Sequence, residues 1–219
     1  MNSNPAEVGL TRGPIYSFVP AHGGCRAGAV AEQICRALAE VPGFPVLLAG
    51  FSIQNYLLWN PADSPRRLDG QTWGAFVFDS HGLEILDAGE VYPRQLPRVL
   101  DYARRSYRTV CFDLSNAKEV QATETLRASE CVFIVSYSDV RSLQMARDKK
   151  DWLKAIGIAD QCGLLLERVP GGVISEQAEE ITGLPVCSLV DRQEHIERFA
   201  GWLASEEVYA SEALCVAVQ

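Results

Sequence analysis

The residues whose types and spacing could do chemistry lie together near the start of the chain, in Pro20-Ala21-His22-Gly23-Gly24-Cys25-Arg26-Ala27-Gly28-Ala29. A short apolar run over residues 15–19 leads into this stretch, and a helical pattern over 27–40 leaves it. A strand, a glycine turn and a helix start in that order make a cradle for an anion such as phosphate, because the first amides of a helix have no partner inside it and point outward. His22, Gly23, Gly24, Cys25, Arg26, Ala27, Gly28 and Ala29 are therefore the candidate phosphate-binding residues. The alternative is a strand-to-helix turn that the fold needs and that binds nothing. A second candidate, Asp113, ends the apolar run that begins at Thr109. Read from the residues alone, it is a strand-end acid that caps a neighbouring turn or pairs locally.

Positioning such a loop takes a well-buried core, and 219 residues are enough for one. Hydrophobic residues make up 47% and charged residues 22% of the chain, an ordinary globular composition. The net charge of −8 argues against a surface that grips nucleic acid or anionic lipid through bulk charge, so neither direct nucleic-acid binding nor membrane insertion is expected. Seven cysteines are scattered without the close spacing of a zinc site, and most lie inside apolar runs. That usage fits core packing in a reducing cytoplasm, and no metal site is expected. His81 and His195 have no metal-like companions and read as surface residues.

Apolar runs at 15–19, 46–49, 109–114, 131–135, 163–166 and 185–189 read as strands, with a further strand near a sheet edge at 83–86. They are continuous rather than alternating, the pattern of strands buried on both faces. Helical spacing at 27–40, 96–106, 120–128, 142–156 and 175–182 falls between them, and Asp191 is expected to cap a last helix running to about 205. Alternating strand and helix predict a doubly wound α/β fold: a mostly parallel sheet flanked by helices in three layers. Residues 1–13 read as a flexible leader, 14–205 as one domain and 206–219 as a C-terminal tail. The stretch from 51 to 73 reads as a helix followed by a long loop.

The order of elements resembles the deviant Walker A P-loop ATPases, ParA and MinD, and especially their pilus-assembly relatives CpaE and TadZ. That family's loop reads Lys-Gly-Gly-x-Gly-Lys-Ser/Thr-Ser/Thr, and the same register here is His22 to Ala29. Val46-Leu47-Leu48 is similar to the family's second strand, Tyr107 to Asp113 to its Walker B strand, and Cys131 to Val135 with Asp139 and Leu143 to the next strand and helix. Gly183-Leu184-Pro185-Val186 resembles a stretch before the last strand, so the resemblance covers roughly residues 13–205. It implies a P-loop NTPase-like fold, ATP with magnesium as the cofactor, protein partners in a pilus, secretion or positioning machine, and a homodimer.

The departures from the family pattern bear on every one of these implications. The two family lysines fall on His22 and Ala27, and the magnesium-binding hydroxyl falls on Gly28. The aspartates after the second strand fall on Gly50 and Ser52, and the asparagine expected near the adenine falls near Glu167. Only the Walker B acid, Asp113, remains. Phosphoryl transfer is catalysed by positioning and by cations set against developing charge, and losing one preorganised donor costs about 100- to 1,000-fold in rate. The expectation is a degenerate member with no catalytic residues, acting as a binding, localisation or assembly module. The alternatives are an ATPase with an unusual loop that uses Arg26 or His22, or a lysine from elsewhere, and a protein that senses nucleotide without cleaving it. Arg26 is ambiguous: its fork suits phosphate, yet it stands where the family has glycine, a place expected to need positive φ or close approach.

Overall fold

The computed structural model of the chain describes residues 12–51, 73–75, 77–89, 91 and 93–205. The sequence readings for 1–11, 52–72 and 206–219, Ser52 among them, fall outside the described residues. In chain order the regular elements are β1 (Ile15–Pro20), α1 (Ala27–Ala39), β2 (Val46–Gly50), β3 (Val77–Ser80), β4 (Leu83–Asp87), α2 (Leu96–Ser106), β5 (Thr109–Asp113) and α3 (Glu119–Ala128). They continue as β6 (Cys131–Tyr137), α4 (Val140–Ala155), β7 (Cys162–Glu167), α5 (Ser175–Thr182), β8 (Val186–Leu189) and α6 (Gln193–Ala204). Single 3-10 turns lie at Trp73–Ala75, Pro93–Gln95 and Ala159–Gln161.

The strands form one eight-stranded sheet in the order β3-β4-β2-β5-β1-β6-β7-β8. Every pairing is parallel except β3 with β4. Successive side chains of a strand point to opposite faces, so each continuous apolar run divides between two cores. On β1 and β6, Tyr16, Phe18, Cys131, Phe133 and Val135 pack with Val30, Ile34 and Leu38 of α1 and Ile196, Phe199 and Leu203 of α6. Ile15, Val19, Val132 and Ile134 point the other way, into a core with α2, α3, α4 and α5. The expected three-layer α/β architecture is what forms.

Some local expectations are corrected. The strand at 83–86 lies near the edge, as expected, but does not form it. β3, a half-exposed strand not read from the sequence, covers it in a two-residue hairpin whose turn residues His81 and Gly82 have φ of 57° and 83°. Both values are positive, as a type I′ turn requires. Nor does residue 13 belong to a loose leader. Gly13 is buried, its amide donates to the Arg104 carbonyl at 2.8 Å, and Arg104 Nε donates back to the Gly13 carbonyl at 3.2 Å. Asp191 does not cap the last helix: the residue before α6 is Arg192, without a side-chain cap. Asp191 instead accepts from Arg168 Nε at 2.7 Å and from His195 Nδ1 at 2.9 Å, so His195 is not a free surface ring.

Candidate functional site

Parallel register brings the carboxyl ends of the central strands to one rim. Gly50 pairs with Asp113, Phe18 with Asp113, Pro20 with Val135 and Tyr137 with Glu167. In open α/β sheets, ligands bind outside these strand ends where the strand order reverses. Here β1 lies inside the sheet between β5 and β6, and the loop from Ala21 to Arg26 rises from its end.

The loop is closed largely on itself. The Cys25 amide donates to the His22 carbonyl at 3.0 Å, and the Gly24 amide donates to His22 Nδ1 at 3.0 Å. Tyr137 Oη, at the end of β6, donates to the Gly24 carbonyl at 3.1 Å. His22 Nε2 lies 3.0 Å from Ser142 Oγ, which bonds to Asp139 Oδ2 at 2.6 Å. Gly23 and Gly24 stay exposed. The amides of Gly23, Arg26, Ala27 and Gly28 have no hydrogen-bond partner among the described residues.

Arg26 is the residue before α1, with φ −91°. That value suits any L residue, so the expectation of positive φ at this place is wrong. Its guanidinium forms a two-pronged ion pair with Glu167 at the end of β7, through Nη2 to Oε1 and Nε to Oε2. The fork that suits a phosphate is thus engaged by an internal carboxylate.

Asp113 and Gly28 meet directly. A Cβ built on Gly28 would stand 2.5 Å from Asp113 Oδ2 and 3.2 Å from its Cγ. The carboxylate is fixed from its other oxygen, since Asp113 Oδ1 accepts from the Ser115 amide at 2.9 Å and from Ser115 Oγ at 2.6 Å. Asp113 therefore pairs locally with Ser115 and lies against the loop-to-helix junction. Ala27 is buried and Ala29 exposed. Neither side chain offers a charge or a donor.

The residues present do not fit a magnesium–triphosphate pair held in the family's way. No hydroxyl stands at 28, and the Asp113 carboxylate fills the space where one would begin. Ala27 cannot supply a cation, and Gly50 beside Asp113 has no side chain to orient water. Burial pushes the Cys25 thiol pKa up, which disfavours the thiolate, the form in which a thiol reacts. The remaining described cysteines are buried and form no disulfide among the described residues, and burial pushes Cys131 up to about 12, as expected of core fillers.

Next to the loop a cavity of 410 Å³ opens between α3 and α4, lined by Val19, His22, Leu114, Glu119, Lys149 and Trp152 among others. The sequence pointed to the loop and to Asp113, but not to Tyr137, Ser142 or Ser115. Asp139 followed three residues later by Ser142 is the legible sign of a helix cap, and the Ser142 amide does donate to Asp139 Oδ1 at 2.9 Å. Tyr137 carries no such sign, since its partner lies 113 residues away.

The Asp139 cap leads to a measurable pH dependence. Bonds from the Ser142 hydroxyl and amide hold the Asp139 carboxyl below its ordinary range. A carboxyl lowered by folding stabilises the protein above its unfolded pKa of about 4, and that contribution is lost as pH falls through the lower folded value. Asp139→Ala is expected to cost about 1 kcal/mol at neutral pH, the usual worth of such a cap, with the gap to wild type closing in acid. Urea unfolding at pH 7 and pH 3 measures both numbers, and an equal gap at the two would refute the assignment.

No protein-family model matches the sequence, and no curated protein matches it at a significant level. Solved structures do. A ParA family ATPase from Chlorobium tepidum TLS superposes with a TM-score of 0.68 at 16% identity, over 91% of this chain and 94% of that one. The MinD cell division protein of Aquifex aeolicus gives 0.69 at 14% identity, over 87% and 96%. A plasmid partition protein from Borrelia burgdorferi, bound to AMPPNP, gives 0.63 at 14% identity, over 93% and 97%. Identities this low speak to architecture alone: the chain has the P-loop NTPase-like fold of the ParA and MinD ATPases.

Proposed function

We propose that this chain is a catalytically degenerate counterpart of ParA and MinD that works by binding, as a localisation or assembly module, rather than by breaking a triphosphate. The observation that carries the reading is the junction of loop and helix. Ala27 and Gly28 stand where cation and hydroxyl are needed, and the Asp113 carboxylate sits within 2.5 Å of a Cβ at 28. An ATPase built on Arg26 or His22 is disfavoured by the partners of those side chains, since Arg26 is spent on Glu167 and His22 on Ser142 and Gly24. Protein contacts then carry the function. One structure of the same fold is a MinC:MinD complex from Aquifex aeolicus, which supports a protein partner for this chain, with a positioning, pilus or secretion machine as the setting and the cytoplasm as the place. A homodimer belongs to the same proposal.

Purified protein with magnesium and ATP is expected to release phosphate no faster than buffer, and Asp113→Ala is expected to change nothing. Magnesium-dependent turnover that is lost in Asp113→Ala would overturn the reading.

A second reading is favoured by the free amides at Arg26, Ala27 and Gly28, which the helix dipole still biases toward an anion. In it the chain senses a nucleotide without cleaving it. Calorimetry with ATP, ADP and GTP at millimolar concentration separates the two. Binding that alters oligomeric state without hydrolysis supports the second, and no heat from any nucleotide supports the first.

A further inference from the structure

The two ring nitrogens of His22 have partners of opposite kinds. Nδ1 lies 3.0 Å from the Gly24 backbone amide, which can only donate, so Nδ1 carries no proton. A neutral ring then holds its proton on Nε2, which faces Ser142 Oγ at 3.0 Å. Ser142 has one hydroxyl hydrogen, and the Asp139 carboxylate at 2.6 Å accepts it. The direction of the whole chain is thereby fixed: Gly24 amide to His22, His22 to Ser142, Ser142 to Asp139. It ties the tip of the loop to the N-terminus of α4. The arrangement is not a nucleophile with its base, because Ser142 accepts from His22 and the acid sits on the serine rather than on the imidazole.

A second proton on the ring can land only on Nδ1, where it would point at the Gly24 amide. Two donors would face each other and that bond would be lost, while Nε2 would keep donating to Ser142. We propose that His22 is a pH-operated latch: neutral, it holds the Gly24 amide and fastens the loop to α4, and protonated, it releases the Gly24 end alone. The latch is read without any ligand and stands whether or not the loop takes a nucleotide.

The groups that face His22 come from several elements. Asp139 acts through Ser142 at the start of α4, and the Tyr137 ring lies 6.1 Å away at the end of β6. Cys25, whose amide donates to the His22 carbonyl, and Arg26, paired with Glu167 at the end of β7, follow it in the loop. Glu119 of α3 and Lys149 of α4 share its cavity. Asp139, held low by the bonds from Ser142, stays charged near neutral pH.

The test is nitrogen-15 NMR of the full chain between pH 5 and pH 8. The protein has three histidines, and His22→Gln assigns the signals. If that variant does not fold, the other two are separable by environment: His81 sits in an exposed turn, and His195 bonds to Asp191 through Nδ1. The expected result is an Nε2–H tautomer for His22 at neutral pH, with the Gly24 amide signal moving at the same midpoint as the ring. Ser142→Ala keeps the amide that caps α4 and the Gly24 bond to Nδ1 but removes the acceptor for Nε2, so the Nε2–H tautomer should persist while the Nε2 signal shifts at neutral pH. An Nδ1–H tautomer, a Gly24 amide indifferent to the ring's titration, or an Nε2 signal unmoved in Ser142→Ala would each overturn the latch.

Discussion

Gly28→Thr, which restores the residue type that the P-loop resemblance asks for, is expected to destabilise the protein by about 2 kcal/mol, the mid-range for forcing extra atoms into a packed place. The new Cβ would meet Asp113 Oδ2 at 2.5 Å. Asp113 has a short side chain and cannot swing aside freely, because its other oxygen is held by the Ser115 amide and hydroxyl. Relief requires breaking those bonds or moving the start of α1. Losing a glycine from a helix returns under about 1 kcal/mol, too little to cancel the clash. The double variant Gly28→Thr with Asp113→Ala removes the obstruction and should recover most of the loss, giving a coupling of at least about 1 kcal/mol between two sites in contact. Urea unfolding of the four proteins measures it. A Gly28→Thr protein as stable as wild type would show that the carboxylate moves readily, and would remove the main support for a site that cannot seat a metal.

The largest effect is expected away from the loop. Phe133→Ala should cost about 3–5 kcal/mol, the range for deleting a buried aromatic side chain. In a chain of this size that lowers the melting temperature by on the order of 10 °C. Phe133 is fully buried, with ring centroids 6.0 Å from Tyr16, 5.6 Å from Phe18 and 5.1 Å from Phe199. Its contact with Phe199 is edge-on at 85°, a favoured geometry for aromatic pairs. This cluster fastens α6 to the middle of the sheet, so the cavity left by alanine would be lined by rigid rings that cannot collapse into it. Calorimetric melting checks the prediction, and a loss under about 1.5 kcal/mol, the scale of a volume-conserving swap, would mean that α6 repacks.

Both predictions rest on features that the sequence exposed unevenly. The apolar runs around Phe18, Phe112 and Phe133 announced strands buried on two faces, because a solvated face would have interrupted them with polar residues. Gly183 announced the end of α5, and it is there in a left-handed conformation with φ 63°. β3 stayed hidden because an edge strand that is half exposed needs no regular pattern. The site divided in the same way. The loop was legible as a strand, a glycine turn and a helix. What holds it, the pairs Arg26–Glu167 and Tyr137–Gly24, joins residues more than a hundred positions apart, and no local pattern encodes such a meeting. Asp191 read as a helix cap because its type and place allowed it, but Arg168 on the neighbouring strand end offered a charged partner, and an ion pair with a bonded histidine outcompetes a lone amide.

The place of β1 inside the sheet also governs how the chain can be born. Its neighbours are β5 and β6, so Ile15 must wait for Val110, and Tyr16 for Cys111 and Cys131. Contacts of such long sequence separation are slow to form, because the intervening chain must be closed before any pairing rewards it. During synthesis β1 therefore leaves the ribosome as an apolar ribbon with both edges bare, and it stays so until β5 and β6 have followed it.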